Sequence, residues 1–133
     1  MTLIGILLLF VCAGAFAIDN PEAPNHLGQL EEKEKAYFVN IESADGYRNT
    51  LLAYNDYHEF LLREIDLLTN QLLHKPQFQE VLTSSIPQQW LIFKDKELEL
   101  IDDTWTCDFS GSSSPIVRGK YKTKVLRDRA WNL

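Results

Sequence analysis

Five carboxylates crowd one short stretch, where Asp95, Glu97, Glu99, Asp102 and Asp103 follow Trp90 and Lys94 in the run QQWLIFKDKELELIDD. Acids at this density could cleave a glycosidic bond, a reaction that needs two carboxyls flanking the sugar, one of them kept protonated by burial. Acids alternating with apolar residues along a helix also describe an ordinary solvated face. In helical register, Trp90, Lys94, Glu97, Leu98, Ile101 and Trp105 fall at i, i+4, i+7, i+8, i+11 and i+15. Lys94 and Glu97 therefore share the tryptophan face. The spacing singles out no catalytic carboxyl pair, so no catalytic residue is assigned.

Other enzyme and metal chemistry lacks its residues. His26, His58 and His74 lie far apart, and HEFLL places Leu62 where a zinc-protease helix needs its second histidine. His58 instead reads as a histidine at the edge of a core. There is no Gly-x-Ser-x-Gly turn, phosphate-binding loop or glycine-rich dinucleotide turn. The expectation is a non-enzymatic protein with no cofactor and no metal.

The first seventeen residues, MTLIGILLLFVCAGAFA, carry no charged side chain and end in the small-x-small pattern of Ala15, Phe16 and Ala17. They are expected to be a signal peptide cut after Ala17, the alternative being a retained N-terminal anchor. With it removed, no stable membrane span is expected, and the chain is expected to be exported. Loss of Cys12 leaves Cys107 alone, so no intramolecular disulfide forms. Cys107 is either a buried thiol or a link between chains, and the oligomeric state is open.

The chain has a net charge of −6, unevenly spread. From Pro115 to Leu133, six Lys and Arg face Asp128 alone, a net +5, which leaves −11 on residues 18–114. A basic segment can grip phosphates, but export and overall acidity argue against nucleic acid. The plainer role for these cations is to pack beside an acidic helix, with Arg129 a candidate partner for Glu97.

Length and composition allow one modest core. The fold expected is all-α, a small bundle of about four helices with short loops. Residues 18–46 form a leader with a possible short helix, in which Leu27, Leu30, Tyr37, Phe38 and Ile41 recur at threes and fours, although AYFVNI also suits a strand. Residues 47–133 form the domain. Within it, Leu51, Tyr54, His58, Leu61, Leu62, Ile65, Leu68 and Leu72 line one face of a long helix from about Arg48 to Leu73, ended by Lys75 and Pro76. A helix to about Trp105 starts after Ser84 and Ser85, with Pro87 in its first turn. A last helix aligns Val117, Tyr121, Val125 and Leu133. The SGSSS run before it either caps that helix or is a loop thrust into a partner's cleft.

The order Trp90, Phe93, Lys94, Asp95, Glu97, then Gly111 and Ser112, then Arg129 and Leu133 resembles the lysozyme inhibitor LprI-like domain of exported bacterial proteins. That domain has an aromatic-rich helix, a Gly-Ser loop and a final Arg-x-x-x-Leu. Ile65, Asp66 and the run Asn70 to Leu73 sit where the family has a similar amphipathic segment, so the resemblance spans about Leu51 to Leu133. Relatives carry cysteines where this chain has Leu98 and Tyr121. The resemblance implies an all-helical domain in the periplasm or outside a bacterial cell and, as partner, a basic lysozyme-type enzyme that it inhibits. The surfaces expected to meet it are Ser110, Gly111, Ser112 and Ser113 with Asp102 and Asp103. An immunity or adaptor protein for another exported partner is the alternative function.

Overall fold

The computed structural model describes residues 25–77, 80, 86–106, 108 and 111–133. The expected signal peptide, Cys107 and Ser110 fall outside them. The described residues form four α-helices and no strand, the small all-α bundle that the hydrophobic spacing implies.

Helix α1 (His26–Ser43) begins where the Asn25 side-chain oxygen accepts a hydrogen bond from the Gly28 N–H at 2.8 Å, satisfying one of the donors left open at a helix start. The AYFVNI segment is helical, not a strand. Its residues continue a stripe already set by Leu30, in which Leu30, Glu34, Tyr37 and Ile41 step at i, i+4, i+7 and i+11. The turn after α1 needs the left-handed backbone at Gly46 (φ +79°), which glycine adopts without a Cβ penalty.

Helix α2 (Gly46–Leu73) is the longest element, 28 residues or about 42 Å at the usual rise. It buries Ala53, Tyr57, Phe60, Leu61 and Ile65. Leu61 and Ile65 belong to the expected stripe, but the inward face is rotated to take in Tyr57 and Phe60. The two rings join Tyr37 of α1 in a stack, with the Tyr37 and Phe60 centroids 4.5 Å apart. Rings of this size supply more buried area than the Leu51 and Leu68 positions the periodicity favoured.

Helix α3 (Ile86–Thr104) presents Trp90, Lys94, Glu97, Leu98 and Ile101 half-buried, while Leu91, Ile92, Phe93, Asp95, Lys96, Glu99 and Leu100 are exposed. The inward face is the one its spacing predicts. Helix α4 (Ser114–Trp131) follows a short 3-10 turn, Gly111–Ser113, and packs along α2 as the principal helix pair of the bundle. It buries Ser114, Thr123, Leu126 and Ala130, not the expected line of Val117, Tyr121 and Val125. Gly119 explains the offset. A Cβ there would lie 3.0 Å from the Tyr54 Cβ, so the helices approach closely at Gly119, and the positions in line with it face inward. The buried Thr123 hydroxyl donates to the Gly119 and Lys120 carbonyls, 3.0 and 2.9 Å away, so it costs little to bury.

The core cluster is Leu30, Tyr57, Phe60, Leu61, Ile65, Leu126 and Ala130, with Trp90, Trp131 and Leu133 against it. Helix α1, which the sequence places in a leader, thus contributes directly to the core.

Candidate functional site

The most desolvated charge is Glu34, fully buried where α1, α2 and α4 meet. It accepts the Tyr57 hydroxyl at 2.7 Å, the Arg127 Nε at 3.0 Å and the Arg127 Nη2 at 3.0 Å. The two Arg127 bonds form the parallel, charge-assisted geometry that suits a planar guanidinium. Arg127 is also sandwiched by aromatics, 4.6 Å from the Trp131 ring centroid and 5.7 Å from that of Phe38. Burial alone lowers the Arg127 pKa, but the hydrogen bonds and charge of Glu34 outweigh it and hold the group above its ordinary value. Burial and then the Glu34 carboxylate raise the Tyr57 pKa well above the usual phenol value. Both Glu34 oxygens and the Tyr57 hydroxyl are paired within the protein, which makes the cluster an architectural joint.

A concave surface lies elsewhere, where α2 faces the end of α3 and the first half of α4. It encloses about 540 Å³. Tyr54 and Gly119 meet at this groove, and Asn55, His58, Asp102, Arg118 and Lys122 line it. Lys122 donates to the Asp102 carboxylate at 2.7 Å, whereas Arg118 Nε stands 3.8 Å from the same group. Burial lowers the His58 pKa, the nearby Lys122 and Lys94 add to this, and Glu59 opposes it. His58 is half-buried and lines this groove.

The sequence-predicted partner surface is brought together only in part. Asp102 is held by Lys122 and by the looser Arg118 contact, so its charge is largely used within the fold, while Asp103 is exposed. Gly111, Ser112 and Ser113 are exposed in the 3-10 turn, and Gly111 takes φ +64°. Ser113 occupies the helix N-cap position without a side-chain capping bond. Just before the loop, Trp105 stacks on Tyr121 with centroids 5.2 Å apart.

Of the signature residues, Trp90 packs against the core and contacts Phe93 at 5.7 Å between centroids, while Phe93 itself is half exposed. Lys94 pairs with Asp95 at 3.3 Å, and Leu133 packs at the core margin. The expected Glu97–Arg129 pair is not formed. The Arg129 guanidinium lies 4.9 Å from the Trp90 ring centroid, its buried Nε has no hydrogen-bond partner, and burial lowers its pKa. Cation–π attraction to the most electron-rich aromatic ring takes the place of the ion pair. The buried ion pair belongs instead to Glu34 and Arg127.

Among the described residues no group of three His, Cys, Asp or Glu side chains is placed to hold a metal, and no helix is long and apolar enough to cross a membrane. No family model, curated protein or solved structure matches this chain.

Proposed function

We propose that the chain is an exported, non-enzymatic binding protein whose acidic exterior takes a basic partner of the lysozyme class and inhibits it. The observation that carries this reading is the direction in which α4 turns its charge. Of its six cations, Arg118, Lys122, Arg127 and Arg129 are half-buried toward the bundle, and only Lys120 and Lys124 are exposed. Lys124 is paired in turn with Asp128 at 3.0 Å. The exposed described residues then include thirteen carboxylates against eight Lys and Arg. A surface of that sign attracts basic proteins at long range and speeds encounter. It repels phosphate backbones, which weakens the nucleic-acid reading of the basic segment. The order of Trp90, Lys94, Asp95, Glu97, Gly111 and Ser112, which resembles the lysozyme inhibitor LprI-like domain, supports the choice of partner class.

The test mixes the full chain with several basic lysozymes and follows both cell-wall clearing and complex formation by calorimetry. A complex that weakens steeply between about 20 and 200 mM salt is expected, since screening shortens the reach of surface charge. Full lysozyme activity together with no binding heat at low salt would exclude the proposal.

A further inference from the structure

We infer that the groove between α2 and the facing ends of α3 and α4 is a binding site for a small oxyanion, a carboxylate or phosphate group anchored by Arg118 and His58. Its volume of about 540 Å³ lies within the range of about 300–1,000 Å³ that small-molecule sites occupy. Convergence of polar groups from three helices gives it chemistry. Lys122 holds Asp102 at hydrogen-bond distance, while the 3.8 Å gap from Asp102 to Arg118 is too long for one. Arg118 thus pairs with Asp102 only as a loose ion contact, which leaves its guanidinium donors open on a side chain only 29% exposed. The side chains of Tyr54, Asn55 and His58 line the same groove and make no hydrogen bond among the described residues. Glu59, the remaining acid of the lining, is exposed at the rim, where water screens it. An oxyanion would give the planar guanidinium a two-pronged partner and the ring nitrogen an acceptor.

Ligand and protonation are linked. A bound anion favours the charged imidazole, against burial and the Lys94, Lys122 and Arg118 cations, with Glu59 and Asp102 acting in the anion's direction. Affinity therefore rises as pH falls and His58 takes up its proton.

The experiment titrates the full chain with inorganic phosphate, with succinate and with neutral maltose, reading the His58 ring resonances by NMR. Saturable shifts with phosphate or succinate are expected, and whichever anion binds more tightly identifies the ligand type. Arg118→Lys should weaken binding about tenfold, because an ammonium cannot make the paired contact. Lys124→Gln, at an exposed cation of the same helix, should leave it unchanged, and helical circular dichroism establishes that both variants fold. The site is refuted if neither anion saturates below about 50 mM, an affinity too weak to call specific. Equal binding by maltose, or by Arg118→Lys, refutes it as well. None of these readouts depends on a lysozyme complex, so the two proposals fail separately.

Discussion

Replacing Glu34 by Gln keeps the size of the side chain and removes its charge at the point where three helices meet. The carboxylate is fully buried and accepts from Tyr57 and twice from Arg127. An amide oxygen at the Oε1 position can still accept from Tyr57 and the Arg127 Nε, but the NH2 then faces the Arg127 Nη2 donor. Breaking a buried ion pair from one side costs about 3–5 kcal/mol. Arg127 is 35% exposed, so water recovers part of its solvation, and the expected loss is about 2–3 kcal/mol. Arg127→Met strands the wholly buried carboxylate instead and should cost more, about 3–5 kcal/mol. Urea unfolding at pH 7 measures both, and the Glu34→Gln, Arg127→Met double variant completes a cycle. A coupling of about 1.5 kcal/mol or more is expected for partners in direct contact. Additive losses, or a Glu34→Gln loss below about 1 kcal/mol, would refute the assignment of this pair as the joint of the bundle.

Tyr57→Phe tests the same joint by pH: the folded phenol holds its proton above the unfolded value of about 10. Its contribution is complete below about pH 10 and is lost as pH rises through the folded value, so wild-type urea midpoints should fall in alkali more steeply than those of Tyr57→Phe. Gly119→Ala should lower stability by about 1–3 kcal/mol despite the better helix propensity of alanine, since the new methyl meets Tyr54; an unchanged or raised melting temperature would show that α2 and α4 can separate without cost. Glu97→Ala and Arg129→Ala should be additive within about 0.5 kcal/mol. Trp90→Ala and Arg129→Ala, whose side chains stack, should instead couple by about 0.5–1 kcal/mol in the same unfolding assay.

Helix limits and helix faces were unequally legible. The glycine at 46 and the proline at 76 bracket α2, and the Trp90, Leu98 and Ile101 spacing identifies the inward side of α3, because backbone geometry and apolar period act locally. The inward side of α4 was not legible. Val117, Tyr121 and Val125 have the apolar character of core residues, yet the absence of a side chain at Gly119 decides which face meets α2, and that depends on where Tyr54 sits in another helix. Glu34 and Arg127 were missed for a related reason. Each reads as surface when taken alone, and only their long-range meeting makes burial tolerable. A local signal existed, since Glu34 interrupts the Leu30, Tyr37 and Ile41 stripe at an inward position. An acid in such a place requires a cation from another element. Arg129 was assigned that part for Glu97 because the two lie on helices expected to pack, but Trp90 competes for the guanidinium without demanding that a second charge be desolvated.

Helix α1 shows what the ionic joint contributes beyond stability. It buries Leu30 and Glu34 and packs Tyr37 and Ile41 against the core, while Leu27, Phe38 and Val39 are exposed. Hydrophobic contact is non-directional, so apolar packing alone specifies the register of a helix less sharply than paired charges do. A shift of one turn, about 5.4 Å, would bring Leu30 or Phe38 opposite Arg127 and strand the Glu34 carboxylate in the core. The paired guanidinium bonds and the Tyr57 hydroxyl tolerate no such displacement, so they fix the register that apolar packing leaves loose. The outer Lys33–Glu64 bridge, 2.8 Å long and partly exposed, follows from that register more than it sets it. Locking α1 in place also determines where Glu31, Glu32 and Glu42 stand on the exterior. A buried acid with a half-buried base thereby positions the exposed acids on which recognition of a basic partner would depend.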